Sequence, residues 1–137
     1  MTVPIRRRAR ELAMQALYQS ETTGQAAADA FQLIRKNFQA NKRAVAYALE
    51  ILAGVHNCRA EIDDHISKHS KNWRLERMTC VDRNILRIAV FELLKQKDIP
   101  AAVVINEAIE VAGRYSDEDA PPFINGILDS LKNKLGK

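Results

Sequence analysis

The chain has 137 residues, 47% hydrophobic and 28% charged, with Gly 5, Pro 4 and Cys 2. It is long enough to bury one domain's core, and too apolar and too poor in Gly and Pro for a disordered tail or linker. Lys+Arg 21 against Asp+Glu 17 leaves +4, and the whole excess is carried by Arg6, Arg7, Arg8 and Arg10, since the rest of the chain balances.

Residues 5–22 read as an amphipathic helix opened by Pro4, with Ile5, Ala9, Leu12, Ala13, Ala16 and Leu17 as its apolar stripe. The arginines fall on its first turns, where the helix dipole disfavours cations by a few tenths of a kcal/mol each, ~0.3 or more. Arg7 paired with Glu11 would have the base N-terminal, the weaker orientation. The cluster therefore costs its own helix something, and an electroneutral body with a basic head suits a localised polyanion. On the face opposite the stripe, Arg7, Glu11, Met14 and Tyr18 follow at spacings of 4, 3 and 4. An exposed ring in line with an arginine suits single-stranded RNA, where rings stack on bases and arginines hold phosphates. The other reading of Tyr18 is a ring packed against a neighbouring helix.

After Thr22-Thr23-Gly24 the spacing predicts a helix near 26–38 packing through Ala30, Phe31, Ile34 and Phe38. Asn41 is a cap for a longer helix over about 42–69, carried by Val45, Ala48, Leu49, Leu52, Val55, Ile62 and Ile66, with a bend or break allowed at Gly54. Trp73 reads as a packing anchor. Thr79 caps a helix over about 79–97 that turns Val81, Ile85, Ile88, Ala89 and Leu93 inward. Pro100 opens a helix near 101–114 with the stripe Val104, Ala108, Val111 and Ala112. The segment Ser116-Asp-Glu-Asp-Ala-Pro-Pro starts a last helix near 122–134, packing through Phe123, Ile124, Ile127, Leu128 and Leu131. The predicted class is all-α: about seven helices in a single domain spanning 1–137, divisible into two helical sub-bundles.

Catalytic chemistry finds little support. There is no GxGxxG, Walker loop, GxSxG elbow or HExxH, and no catalytic residue, cofactor or metal site is expected. His56, His65 and His69 are read onto one helix, and His65 with His69 at i,i+4 is a weak metal pattern. Cys58 and Cys80 form no CxxC pair, which excludes a disulfide scaffold and a zinc cluster. No run approaches the ~20 apolar residues of a membrane span, and Met1-Thr-Val-Pro-Ile-Arg-Arg-Arg lacks the apolar stretch of a secretion signal. A cytoplasmic protein without a membrane partner is expected.

Four blocks carry a resemblance. Arg6-Arg-Arg-Ala-Arg-Glu-Leu-Ala-Met-Gln-Ala-Leu-Tyr18, Asp82-Arg-Asn-Ile-Leu-Arg-Ile-Ala-Val-Phe-Glu-Leu93, Ile99-Pro-Ala-Ala-Val-Val-Ile-Asn-Glu-Ala-Ile-Glu-Val-Ala112 and Phe123-Ile-Asn-Gly-Ile-Leu-Asp129 resemble, in order, the NusB family of transcription antitermination factors. The resemblance implies a helical, non-enzymatic protein that binds boxA RNA together with NusE, a protein of the small ribosomal subunit. It further implies that the pair joins an elongating RNA polymerase with other Nus factors and suppresses termination, notably in ribosomal RNA operons. Carried over residue by residue, the RNA-binding set is Arg6, Arg7, Arg8 and Arg10, with Tyr18 stacking. Asp119 and Phe123 lie in a further RNA-proximal region, where Phe123 is alternatively core. Monomer and homodimer both remain open. Two rival readings are the targeting domain of an RNA-modifying methyltransferase, for which 1–137 holds no cofactor-binding α/β stretch, and a protein–protein adaptor with an incidental basic terminus.

Overall fold

The computed structural model describes residues 4–38, 41–71 and 74–137, and every regular element among them is helical. By contact density the chain divides into two compact units, Met1–Asn57 and Cys58–Lys137.

The first unit holds α1 (Ile5–Thr23), α2 (Ala27–Phe38) and α3 (Lys42–Asn57). Pro4 precedes α1, where a missing N–H costs nothing. At the other end Gly24 adopts φ +78° and its N–H donates to the Ser20 carbonyl at 2.9 Å, a left-handed stop that a side chain would strain. Asn41 caps α3 as predicted: its Oδ1 accepts the Arg43 N–H at 2.7 Å. The core of the unit comprises Ala9, Leu12, Ala13, Ala16 and Leu17 of α1, Ala30, Phe31 and Ile34 of α2, and Ala44, Ala48, Ile51 and Val55 of α3. Ile5, predicted to belong to the stripe, is exposed at the helix entrance.

The second unit holds α4 (Arg59–His69), a 3₁₀ turn (Leu75–Arg77), α5 (Cys80–Lys95), α6 (Ala101–Tyr115) and α7 (Ala120–Lys134). Helix α5 is its centre, packed by α4, α6 and α7 and buried continuously from Asn84 to Leu93. Thr79 Oγ1 accepts the Asp82 N–H at 3.1 Å and so starts α5 where the sequence placed it. Charge is used here for cohesion. Arg87 of α5, almost fully buried, grips Asp63 of α4 with two parallel bonds, Nε to Oδ1 at 2.9 Å and Nη2 to Oδ2 at 3.1 Å. Arg59 approaches the same carboxylate at 3.5 Å.

Several expectations are corrected. The predicted helix over 42–69 is two: it runs straight through Gly54 and breaks at Cys58, whose φ −110° and ψ 17° leave the helical region. His56 consequently lies on α3, apart from His65 and His69 on α4. The last helix begins at Ala120, with Pro121 and Pro122 inside its first turn, where their missing N–H groups need no partner. Val81 is only half-buried. Trp73 and the side chain of Phe38 lie outside the described residues. No helix among the described residues is long and apolar enough to cross a membrane.

Candidate nucleic-acid interface

The predicted site residues fall in both units: Arg6, Arg7, Arg8, Arg10 and Tyr18 on α1, and Asp119 and Phe123 at the start of α7.

On α1 the arginines are not equivalent. Arg6 is exposed, Arg7 and Arg8 are half-exposed, and Arg10 keeps only 5% of its surface. The guanidinium centres of Arg6 and Arg10 lie 4.9 and 5.9 Å from the centroid of the Tyr47 ring on α3. A cation over a ring in this geometry is worth about 0.5–2 kcal/mol, more as water is excluded. Arg10 therefore departs from the expectation of four surface arginines: it is folded under, against Tyr47. Arg8 also faces inward in part, with Nη1 3.6 Å from the carboxylate of Glu11, which is 1% exposed.

The predicted exposed line of Arg7, Glu11, Met14 and Tyr18 is likewise corrected, because Glu11 and Met14 are buried. Helix α1 packs on both α2 and α3, and a helix with two neighbours buries more than one stripe. Tyr18 remains 43% exposed, about 16 Å along the helix axis from Arg7 at 1.5 Å per residue. Tyr47 was missed by sequence reasoning. Its signal was an aromatic ring at helical spacing among the buried apolar residues Ala44, Ala48 and Ile51, bearing a hydroxyl that a purely apolar stripe does not call for.

In the second unit Asp119 and Phe123 are brought together. They line a hollow of about 290 Å³ with Arg77, Met78, Thr79, Asp82, Asp117 and Ala120. Its walls are fastened from behind. The Ser116 hydroxyl donates to Asp82 Oδ1 at 2.6 Å, and Arg83 Nη1 donates to the carbonyls of Leu75 (3.2 Å) and Met78 (3.0 Å). Phe123 is neither core nor fully surface: it is half-buried, with part of its ring in the hollow. Three carboxylates around one arginine repel phosphate. They accept N–H groups instead, the chemistry by which a carboxylate reads an exocyclic base amine. A half-exposed ring beside them offers a stacking face.

Residues 7–133 match the NusB family. The chain belongs to that family. It is 46% identical to the transcription antitermination protein NusB of Geotalea uraniireducens over 95% of each chain, and 43% identical to that of Myxococcus xanthus over 96% of this chain and 97% of the relative. Among solved structures it superposes on T. maritima NusB with a TM-score of 0.88 at 39% identity, covering 98% of this chain and 94% of the other. It superposes on a chain of the crystal structure of the antitermination factors NusB and NusE in complex with dsRNA with a TM-score of 0.87 at 28% identity, covering 97% and 99%. The all-helical class and the NusB resemblance read from the four blocks both hold.

Proposed function

We propose that this member of the NusB family is a transcription antitermination factor that binds boxA RNA together with the small-subunit ribosomal protein NusE. The pair then joins elongating RNA polymerase and other Nus factors in the cytoplasm and carries it through terminators, notably in ribosomal RNA operons. It acts as a binding protein, not as an enzyme. The observation that carries this reading is the basic head of α1: Arg6 is exposed and Arg7 half-exposed at an end of the helix that gains nothing from cations, while Arg10 is buried against the same Tyr47 ring that Arg6 overlies. In this reading Arg6, Arg7 and Arg8 hold phosphates, Arg10 positions Tyr47 and the head, and Tyr18 stacks on a base. Asp119 and Phe123 take up a base edge and face in the second unit. The relatives named as antitermination proteins support the cellular role, and the solved NusB–NusE–dsRNA complex supports the two partners.

The test is fluorescence anisotropy with a boxA-like oligonucleotide, with and without NusE, across a salt series. Each arginine–phosphate contact on a single strand adds about 0.7 to the negative slope of log K against log salt. Exchanging Arg6 and Arg7 for Gln is expected to flatten the slope by about 1.4. Binding seen only with NusE and indifferent to both arginines means that the chain is a protein–protein adaptor and overturns the reading.

A further inference from the structure

We propose that the phosphate-holding surface does not stop at α1 but continues onto the first turn of α3, where Lys42 and Arg43 hold the adjoining phosphates of the same RNA. The inference rests on the RNA-binding reading above and extends it to two side chains outside the arginine block.

Four further cations belong to this unit: Arg35, Lys36, Lys42 and Arg43. They divide by helix physics. Arg35 and Lys36 fall in the last turn of α2, where the dipole favours a positive charge, so their placement is explained locally. Lys42 and Arg43 open α3, whose first turn contains no acid, and there the same dipole opposes them. The neutral side chain of Asn41 already caps that end, so neither cation serves the helix start. Both are exposed.

Their position relative to the head is fixed by Tyr47. Arg43 stands four residues before Tyr47, hence on the same face of α3 and about 6 Å along its axis. Arg6 lies over that ring at 4.9 Å. The start of α1 and the start of α3 therefore present Arg6 and Arg43 along the Tyr47 face, and Lys42, one residue and about 100° round the helix, extends the exposed cationic ridge at the α3 start. Like charges on one ridge repel one another, and a polyanion threaded along it relieves the repulsion of all of them at once. A protein partner would need a row of carboxylates to match; a nucleic-acid backbone supplies the row by its chemistry.

The experiment compares the full chain with Lys42→Gln/Arg43→Gln, Arg6→Gln/Arg7→Gln and the charge-keeping Lys42→Arg/Arg43→Lys, each with NusE on the boxA-like oligonucleotide. Helical circular dichroism checks the fold. NusE is the same in every arm and contributes equally to every slope, so the ridge is read as a difference from the wild type. The Lys42→Gln/Arg43→Gln slope is expected to be flatter by about 1.4, so that its affinity deficit at 50 mM salt is about sevenfold larger than at 200 mM. The charge-keeping variant is expected to match the wild type. Oligonucleotides shortened stepwise from each end should reach a length at which the α3 variant equals the wild type while the α1 variant is still impaired. An α3 variant indistinguishable from the wild type on every oligonucleotide, or an equal loss in the charge-keeping variant, overturns the ridge. Failure of the function reading is distinct: there the α1 variant too leaves binding unchanged.

Discussion

The two units spend charge in opposite ways. Met1–Asn57 carries eight basic and four acidic side chains, and Cys58–Lys137 thirteen of each. In the second unit a buried arginine is locked to a carboxylate on a neighbouring helix, and basic and acidic groups meet again in the pairs Lys68–Asp64 (2.9 Å) and Lys95–Glu61 (3.2 Å). In the first, the excess lies at helix starts that do not profit from it, with Arg6 braced over a ring. The buried lock of Arg87 on Asp63 holds α5 to α4, whereas Arg6, Lys42 and Arg43 in the first unit are exposed to solvent. Breaking that lock should therefore cost the second unit stability, and removing an exposed cation should cost the first unit affinity.

The largest expected effect tests the second unit's side of that contrast. Asp63→Ala takes both bonds from the buried Arg87 guanidinium and is expected to destabilise the protein by about 2–3 kcal/mol in urea unfolding. The salt slope of RNA binding by the folded variant should not change. A loss below about 0.5 kcal/mol, the value of an exposed pair, means that the lock is cosmetic.

Tyr18→Ala comes next. The loss of one stacked base weakens RNA binding by about 1–2 kcal/mol with the slope unaltered, because no phosphate contact is lost. As the ring is exposed, the midpoint of thermal unfolding should hardly move. A fall in stability without a fall in affinity identifies Tyr18 as a packing residue.

Arg7→Gln is expected to flatten the salt slope by about 0.7, so that from 50 to 200 mM its deficit shrinks about 2.6-fold. Arg10→Gln sharpens the comparison within α1. Because Arg10 is buried against Tyr47, its loss should appear in thermal stability, and in affinity only by way of a displaced Arg6. Equal slopes for the two variants would return Arg10 to the phosphate set.

The smallest effect is pH-dependent. Burial, reinforced by His65, Lys134 and Lys68, holds the His69 imidazole of α4 below its ordinary value, while Nδ1 shares a 2.7 Å hydrogen bond with Ser130 Oγ of α7. The unfolded chain then binds the proton more readily than the folded one. His69 contributes stability that is complete above pH ~6.5 and is lost as pH falls towards the depressed folded value. The stability advantage of wild type over His69→Gln should accordingly stay constant above pH ~6.5 and shrink below it. An advantage that grows on acidification reverses the sign and refutes this account.

Much of this molecule was legible before folding was considered, and for local reasons. Asn41 and Thr79 cap helices because their side-chain oxygens reach an N–H two or three residues on, and Gly24 ends one because it tolerates φ +78°. Pro100 precedes another whose stripe Val104, Ala108, Val111 and Ala112 is buried as its spacing predicts. The concentration of excess charge on α1 was equally a property of the sequence.

Which side of α1 meets solvent was not. Periodicity assumes a single buried face, whereas Arg10, Glu11 and Met14 were taken inside because α1 packs on more than one neighbour. The break at Cys58 is hidden in the sequence because the apolar spacing continues across it, and Gly54, the residue with the greater freedom to break, sits inside an uninterrupted turn. Tyr47 acquires its meaning only from Arg6 and Arg10, roughly forty positions away in the chain, and Phe123 only from the hollow it shares with Asp119. Helix ends are decided by hydrogen bonds within a few residues and can be read one turn at a time. The exposure of a side chain depends on the segments that pack over it, and those are chosen by the fold.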